Sequence, residues 1–177
     1  MPSLVTYERA CILAPALAKL PETQVTPYLE AATEAIEEAC GRGFKYDAVV
    51  DETARPDQFG RSWLWRVPIT PANVTVRDNE GNLTSFMLEN ERGELITPGI
   101  GAGGIAKASY SGGFSPVPPA VELAVANLAK RRIDRSVQEG PVTSKKIGSV
   151  EIQYEARTQT SDVDEDILAS LKKYRRR

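Results

Sequence analysis

No histidine occurs anywhere in the 177 residues. That absence removes the imidazole general base, the Ser-His-Asp triad, the Cys-His dyad and the His-ligated zinc site, and with them most common hydrolase chemistry. Cysteine is nearly as scarce. Cys11 and Cys40 stand too far apart for a CxxC motif, and two thiols cannot close a structural zinc site, so both read as small reduced hydrophobes. No apolar run approaches the roughly 20 residues of a membrane span. The first twenty residues carry Glu8, Arg9 and Pro15 and lack the basic start and unbroken apolar core of a signal peptide, so folding in a cytoplasm is expected. Acid–base–nucleophile groupings are also missing. Glu37 and Glu38 read as exposed helix, where a perturbed pKa is not expected, and Ser170-Leu171-Lys172-Lys173 fits SxxK only inside a charged terminal helix. The expectation is a protein without enzymatic activity, metal, cofactor or membrane contact.

What is present describes an ordinary globular chain. It is 41% apolar and 26% charged. At this length a fold hides roughly 70% of the unfolded surface, enough for one domain with a core and no staples. The 22 basic and 24 acidic residues are unevenly placed: residues 172 to 177 hold five cations and no acid, which leaves 17 basic against 24 acidic before them. An acidic body with a cationic end repels phosphate backbones over most of its surface.

Hydrophobic periodicity predicts helices near 27–41, 118–137 and 162–174. Thr26 reads as the N-cap of the first and Pro27 as its first helical residue; Leu29, Ala32, Ile36, Ala39 and Cys40 form its apolar stripe, and Gly41 and Gly43 stop it. Glu30, Glu34, Glu37 and Glu38 make an opposite acidic face, solvated or set against a neighbour's arginines. The second helix carries Val121, Ala124, Val125, Leu128, Ala129 and Ile133, with Lys130, Arg131, Arg132 and Arg135 in its last turns, where cations suit the dipole. Between them, about 46–110, the pattern alternates and predicts a small antiparallel sheet. In it Trp63, Trp65 and Val67 share one side, 73–77 and 83–88 form a hairpin about Asp78-Asn79-Glu80-Gly81-Asn82, and a turn at Glu91-Arg92-Gly93 follows. Val150, Ile152 and Tyr154 suggest one strand or arm entered through Gly148. The fold class is therefore α+β, a mainly helical body with an inserted β region at 45–110, organised as a domain over 1–161 and a terminal helix with a basic tail over 162–177.

Gly99, Gly101 and Gly104 spell GxGxxG, but they open an alternating run rather than a helix, and no acidic residue follows about 20 positions on. They read as a loop at a sheet end.

In order along the chain, LEAATEAIEEACGRGF (29–44), VPITPANVTVRDNEG (67–81), ASYSGGFSPVPPAVELAVANLAKRRIDR (108–135) and KKIGSVEIQYE (145–155) resemble the helix with its Cys-Gly-Arg-x-Phe ending, the Pro-Ile turn and hairpin, the Tyr-x-Gly-Gly turn with its second helix, and the Ile-Gly segment of the head-to-tail connector (adaptor) proteins of tailed double-stranded-DNA phages. The resemblance spans nearly the whole chain; the glycine-rich loop at 99–104 is longer than the family pattern. It implies a structural protein of the phage neck, assembled in the host cytoplasm: a ring, commonly of twelve copies, that docks on the portal protein, extends the channel through which genomic DNA passes unbound, and receives the stopper or tail-completion protein.

On that basis Ile167, Leu168, Leu171 and Tyr174, with Lys172, Lys173, Arg175, Arg176 and Arg177, are expected to dock on the portal, the cations meeting either portal acids or DNA. Asp78, Asn79, Glu80, Gly81 and Asn82 with Gly99, Gly101 and Gly103 are expected to meet tail or neighbour. Glu30, Glu34 and Glu37 with Arg131 and Arg135 are expected between subunits. Two other classes compete: a small nucleic-acid-binding protein using 130–135 and 172–177, and a small enzyme using the glycine loop.

Overall fold

A computed structural model describes residues 3–138, 144–147, 150–153 and 162–175. Helix α1 (Tyr7–Leu13) is followed by a 3-10 turn (Pro15–Lys19), α2 (Glu22–Cys40), six strands, α3 (Pro119–Gln138), a hairpin of β7 (Ser144–Ile147) and β8 (Val150–Gln153), α4 (Asp162–Ser170) and a last 3-10 turn (Lys172–Tyr174). Helix accounts for 40% and strand for 26%, so the class is α+β, but the body is not mainly helical. The chain forms two compact units. One comprises Met1–Ile36 and Ala120–Lys173, the other Glu37–Pro119 and Tyr174–Arg177. They cut across the expected division at 161/162, since α4 belongs with α3 whereas Tyr174 belongs with the strands.

In the helical unit each helix buries one stripe. Val25, Leu29, Ala32 and Ile36 of α2 are buried, as are Val121, Ala124, Val125, Leu128, Ala129 and Ile133 of α3, which is the stripe that three- and four-residue spacing predicts. Thr6 caps α1 by accepting the Arg9 amide at 3.3 Å. The Leu4 amide donates to Thr33 Oγ1 (3.2 Å), and Arg9 pairs with Glu122 at 3.0 Å, tying α1 to α3.

The start of α2 differs from expectation. The Pro21 carbonyl already accepts the amides of Gln24 and Val25 (3.0 and 3.3 Å), so the helix begins at Glu22 and Pro27 lies inside it. Thr26 does not cap; its hydroxyl donates to the Glu22 carbonyl at 2.9 Å. Burial of Val25 gives the extra turn an apolar anchor that a start at Pro27 would forgo. The α2 end agrees closely with the reading of Gly41: with φ at 66° it takes the left-handed cap position, its amide donates to Glu38 O (3.0 Å), and the Arg42 amide donates to Glu37 O (3.1 Å), a Schellman closure.

The β unit contains two three-stranded antiparallel sheets rather than one. In the first, β6 (Ala106–Gly112) lies between β1 (Asp47–Ala54) and β3 (Ile69–Arg77); in the second, β5 (Glu94–Ile96) lies between β2 (Arg61–Trp63) and β4 (Met87–Glu89). The expected hairpin of 73–77 with 83–88 is reduced to a bridge of Arg77 with Leu83 and a bond from the Thr84 amide to Val76 O (3.0 Å). Beyond it the chain leaves for the second sheet, where Leu88 packs against the buried Leu95 cluster. The expected single strand near 150 is β8 of a two-stranded hairpin, while Gly148 and Tyr154 fall outside the described residues. Trp63, Trp65 and Val67 do not share one side: β2 ends at Trp63, which is exposed, whereas Val67 is buried along with Ser62 and Leu64, and Trp65 lies beyond the strand.

Four separated segments of the β unit meet at one point. The Arg42 guanidinium lies 5.7 Å from the Phe44 ring centroid and 5.3 Å from that of Phe114, and its Nη2 donates to Val67 O. Phe44 and Phe114 stack at 6.2 Å, and Tyr174 meets both edge-on at 5.8 and 6.3 Å. Phe44 is fully buried and exchanges backbone contacts with Phe114, whose amide donates to Phe44 O at 2.7 Å. Glu37, expected on the exposed acidic face, is only 5% exposed: its Oε1 accepts the Phe44 amide at 2.9 Å. Gly112 and Gly113 permit the crossing. A Cβ on Gly112 would stand 2.3 Å from Arg66 O, and one on Gly113, whose φ is 105°, 2.4 Å from Lys45 O. Tyr110 completes the support by donating to the Glu52 carboxylate while its hydroxyl accepts the Arg66 amide at 2.9 Å; burial and that carboxylate push its phenol well above the usual range.

Emptying this cluster should cost more than any surface change. Phe44→Ala is expected to lower the unfolding free energy in urea by about 3–5 kcal/mol, against no more than about 0.5 kcal/mol for truncation of the exposed neighbour Lys45.

Candidate interaction site

The two loops singled out from composition lie together at one edge of the β unit. The tip Asp78-Asn79-Glu80 and the segment from Gly99 to Ile105 line an open cleft of about 370 Å³. The tip is built from its own side chain. Asp78 Oδ1 accepts the amides of Glu80 and Asn82, each at 2.9 Å, and Oδ2 accepts Asn82 Nδ2 at 3.1 Å, while Gly81 takes φ 89°. The Asn82 bonds above all, with the other amides of the turn, hold the Asp78 carboxyl below its ordinary range. Gly81, Gly101 and Gly103 each have open space where a Cβ would stand, but Gly104 does not: its Cβ would meet Ile100 Cγ2 at 2.5 Å. Ile100 is buried, so the loop is pinned at its centre and open at its rim.

This cleft has little to offer catalysis. Its titratable lining is the two acids Asp78 and Glu80, and the glycines lead into strand β6, so no helix N-terminus faces a ligand there. Among the described residues no group of three or more acidic or thiol side chains is placed to hold a metal, and no helix is long and apolar enough to cross a membrane. The exposed, largely backbone surface suits contact with another macromolecule.

The other expected site residues are dispersed. Glu34 is exposed, Glu30 half-buried and Glu38 exposed, one turn apart on α2, whereas Glu37 is withdrawn into the β unit's core contact. Arg131 and Arg135 are half-buried on α3, and Lys130 is paired with Asp134 at 2.7 Å. In the terminal segment Ile167 and Leu171 are buried, Leu168 is half-buried, and Tyr174 sits against Phe44 and Phe114. The apolar stripe expected to need an outside partner has partners in this chain. Lys172, Lys173 and Arg175 remain exposed, and Arg176 and Arg177 lie outside the described residues. What sequence reasoning missed is the outer face of the second sheet, with Trp63 and Met87 exposed.

No protein-family model matches the sequence, and no curated protein matches it. A solved structure does. A chain described as the neck of an empty GTA particle, computed with C6 symmetry, superposes with a TM-score of 0.53 at 16% identity, over 88% of this chain and 79% of that one. The likeness is one of fold, and it takes in most of both chains.

Two outcomes follow for the loops. Gly101→Ala should change stability by less than about 0.5 kcal/mol, whereas Gly104→Ala, crowding Ile100, should cost about 1–3 kcal/mol in chemical denaturation. Acidification should loosen the tip. Because the folded Asp78 carboxyl titrates below the usual value near 3.9, its contribution is full above that value and lost as pH falls through the lower folded one. Protection of the Glu80 and Asn82 amides, measured against their intrinsic exchange rate at each pH, should therefore fall only in that acid window.

Proposed function

We propose that this chain is a structural protein of the neck of a phage-like particle: an adaptor that assembles as a ring on the portal, extends the DNA channel and carries the stopper or tail-completion protein. The observation that supports this most is the fold shared with a neck chain over 88% of the sequence, reached independently of the motif order that resembles the connector family. A protein so built needs surfaces rather than an active centre, and the reading as a non-enzyme agrees with its exposed loops and weakly chemical cleft.

Twelve copies is the proposed number; sixfold symmetry, as applied to that other neck, accommodates six or twelve. DNA is proposed to pass without specific contact, since the body before residue 172 carries 17 basic against 24 acidic residues and excess negative charge lowers the attraction for phosphate. The tip at 78–82 and the loop at 99–104 are proposed to meet the tail side or a neighbour. The α2 acids Glu30 and Glu34, with Glu38 in place of the buried Glu37, are proposed to face Arg131 and Arg135 of the adjacent copy.

Portal docking falls to the exposed part of the terminal segment, Lys172, Lys173 and Arg175. Deleting 162–177 is not a clean test, because it also removes the buried Ile167 and Leu171 and the aromatic edge of Tyr174. Charge reversal is cleaner. The Lys172→Glu/Arg175→Glu variant should keep the wild-type urea midpoint and lose co-sedimentation with purified portal by at least about tenfold, the equivalent of roughly 1.4 kcal/mol. Wild-type stoichiometry on the portal would contradict the assignment, and salt-dependent binding of free DNA lost in the same variant would favour a nucleic-acid-binding role.

A further inference from the structure

One aromatic side chain interrupts the exposed cations of the terminal segment. Lys172, Lys173 and Arg175 are exposed, whereas Leu171 is fully buried and Tyr174 is half-buried. Lys172–Tyr174 is a 3-10 turn, and that geometry brings residues three apart onto one side. Leu171 and Tyr174 therefore form the inward side of the turn, and the cations take the rest of it.

Such a turn does not hold itself. It is far shorter than the about 12–15 residues at which an isolated helix is even marginal in water, and its neighbouring like charges repel. The Tyr174 ring supplies the hold, meeting Phe44 edge-on at 5.8 Å and Phe114 at 6.3 Å, a geometry that adds to the gain from burying an aromatic. Both partner rings stand on fixed backbone: the Phe44 amide donates to Glu37 Oε1 at 2.9 Å and the Phe114 amide to the Phe44 carbonyl at 2.7 Å. Arg175 is placed as well. Burial pushes the Cys40 thiol up, and the Arg175 and Arg42 guanidiniums pull it part of the way back. Cys40 is the last residue of α2, so the Arg175 charge stands near the carboxyl end of that helix, where the dipole favours a cation.

We infer that Tyr174 is a positioning residue for portal docking: seated against Phe44 and Phe114, it holds Lys172, Lys173 and Arg175 as one preformed cationic surface that meets an acidic surface of the portal. A segment already ordered in its bound form avoids the ordering cost that a free tail meets on binding. The inference rests on the portal contact proposed above and names what makes cations on a short turn act together. The coupling is reciprocal, so docking must in turn strengthen the aromatic seat.

The affinity of full-length chain for purified portal, measured over a salt series, tests this. Tyr174→Ala should weaken binding about tenfold and keep the wild-type salt dependence, because its charges remain. Tyr174→Phe, which retains the ring, should bind within about twofold of wild type. Lys172→Glu/Arg175→Glu should weaken binding and flatten the salt dependence. Hydrogen exchange on unaltered chain gives a readout that stands even where Tyr174→Ala fails to fold: bound portal should slow the Phe44 and Phe114 amides more than the Thr97 amide, which bonds Gly60 O elsewhere in the same unit. Folded Tyr174→Ala with wild-type affinity, Tyr174→Phe as weak as Tyr174→Ala, or no selective slowing at Phe44 and Phe114 would overturn the positioning role and leave portal docking standing. Wild-type affinity in the charge-reversed variant, or a wild-type chain that binds duplex DNA through these cations in place of portal, would overturn both.

Discussion

The contact on which the β unit depends is made by Arg42. Helix α2 ends in a Schellman closure at Gly41, and the next side chain sets its guanidinium beside the stacked Phe44 and Phe114 rings, 5.7 and 5.3 Å from their centroids, while donating to the Val67 carbonyl. A cation over aromatic rings is worth about 0.5–2 kcal/mol, more as it is desolvated. Here it also fixes geometry, because one planar group holds three segments that are separated by tens of residues. Glu37 secures the same passage from the helix side by accepting the Phe44 amide, and Gly112 and Gly113 admit the backbone crossing that brings Phe114 within reach. Tyr174 closes the cluster, so the end of the chain helps to hold its middle.

That economy explains the division between rigid and available surface. The buried groups with chemical potential are spent on structure: Tyr110 and Glu52 on positioning Trp65 and Arg66, Glu37 on the chain entry. What faces solvent is turns, an acidic helix line, a short cationic end and an apolar sheet face. Such surfaces suit assembly. The proposal of a neck ring draws on this distribution and on the fold shared with a neck chain.

The helices were legible because their stripes are local: a 3.6-residue period needs only the neighbouring turns, and the α3 stripe is buried nearly residue for residue as its spacing predicts. The tip at 78–82 was legible for the same reason, since Asp, Asn and Gly build it from within. The Arg42 cluster was not, because its partners are remote in sequence and short motifs such as Cys-Gly-Arg-x-Phe name its residues without saying what they touch. Glu37 misled for a related reason. Its position on α2 matches the acidic face, and only the chain reversal at Gly41 brings the Phe44 amide back to it. Pro27 misled by a strong local rule, that proline opens helices, which the apolar anchor of Val25 overrode. The terminal segment's stripe was read as a portal-docking face; within this chain Ile167 and Leu171 are buried and Tyr174 packs against Phe44 and Phe114.

The central claim is that this chain stands as a ring in the neck of a particle. Cryo-electron microscopy of purified particles, with the neck reconstructed without imposed symmetry, tests it most directly. The account predicts a closed ring between portal and tail whose subunits accept this fold, helices and both sheets included. Particles whose neck contains no density for this fold, or that carry the chain elsewhere, would contradict it.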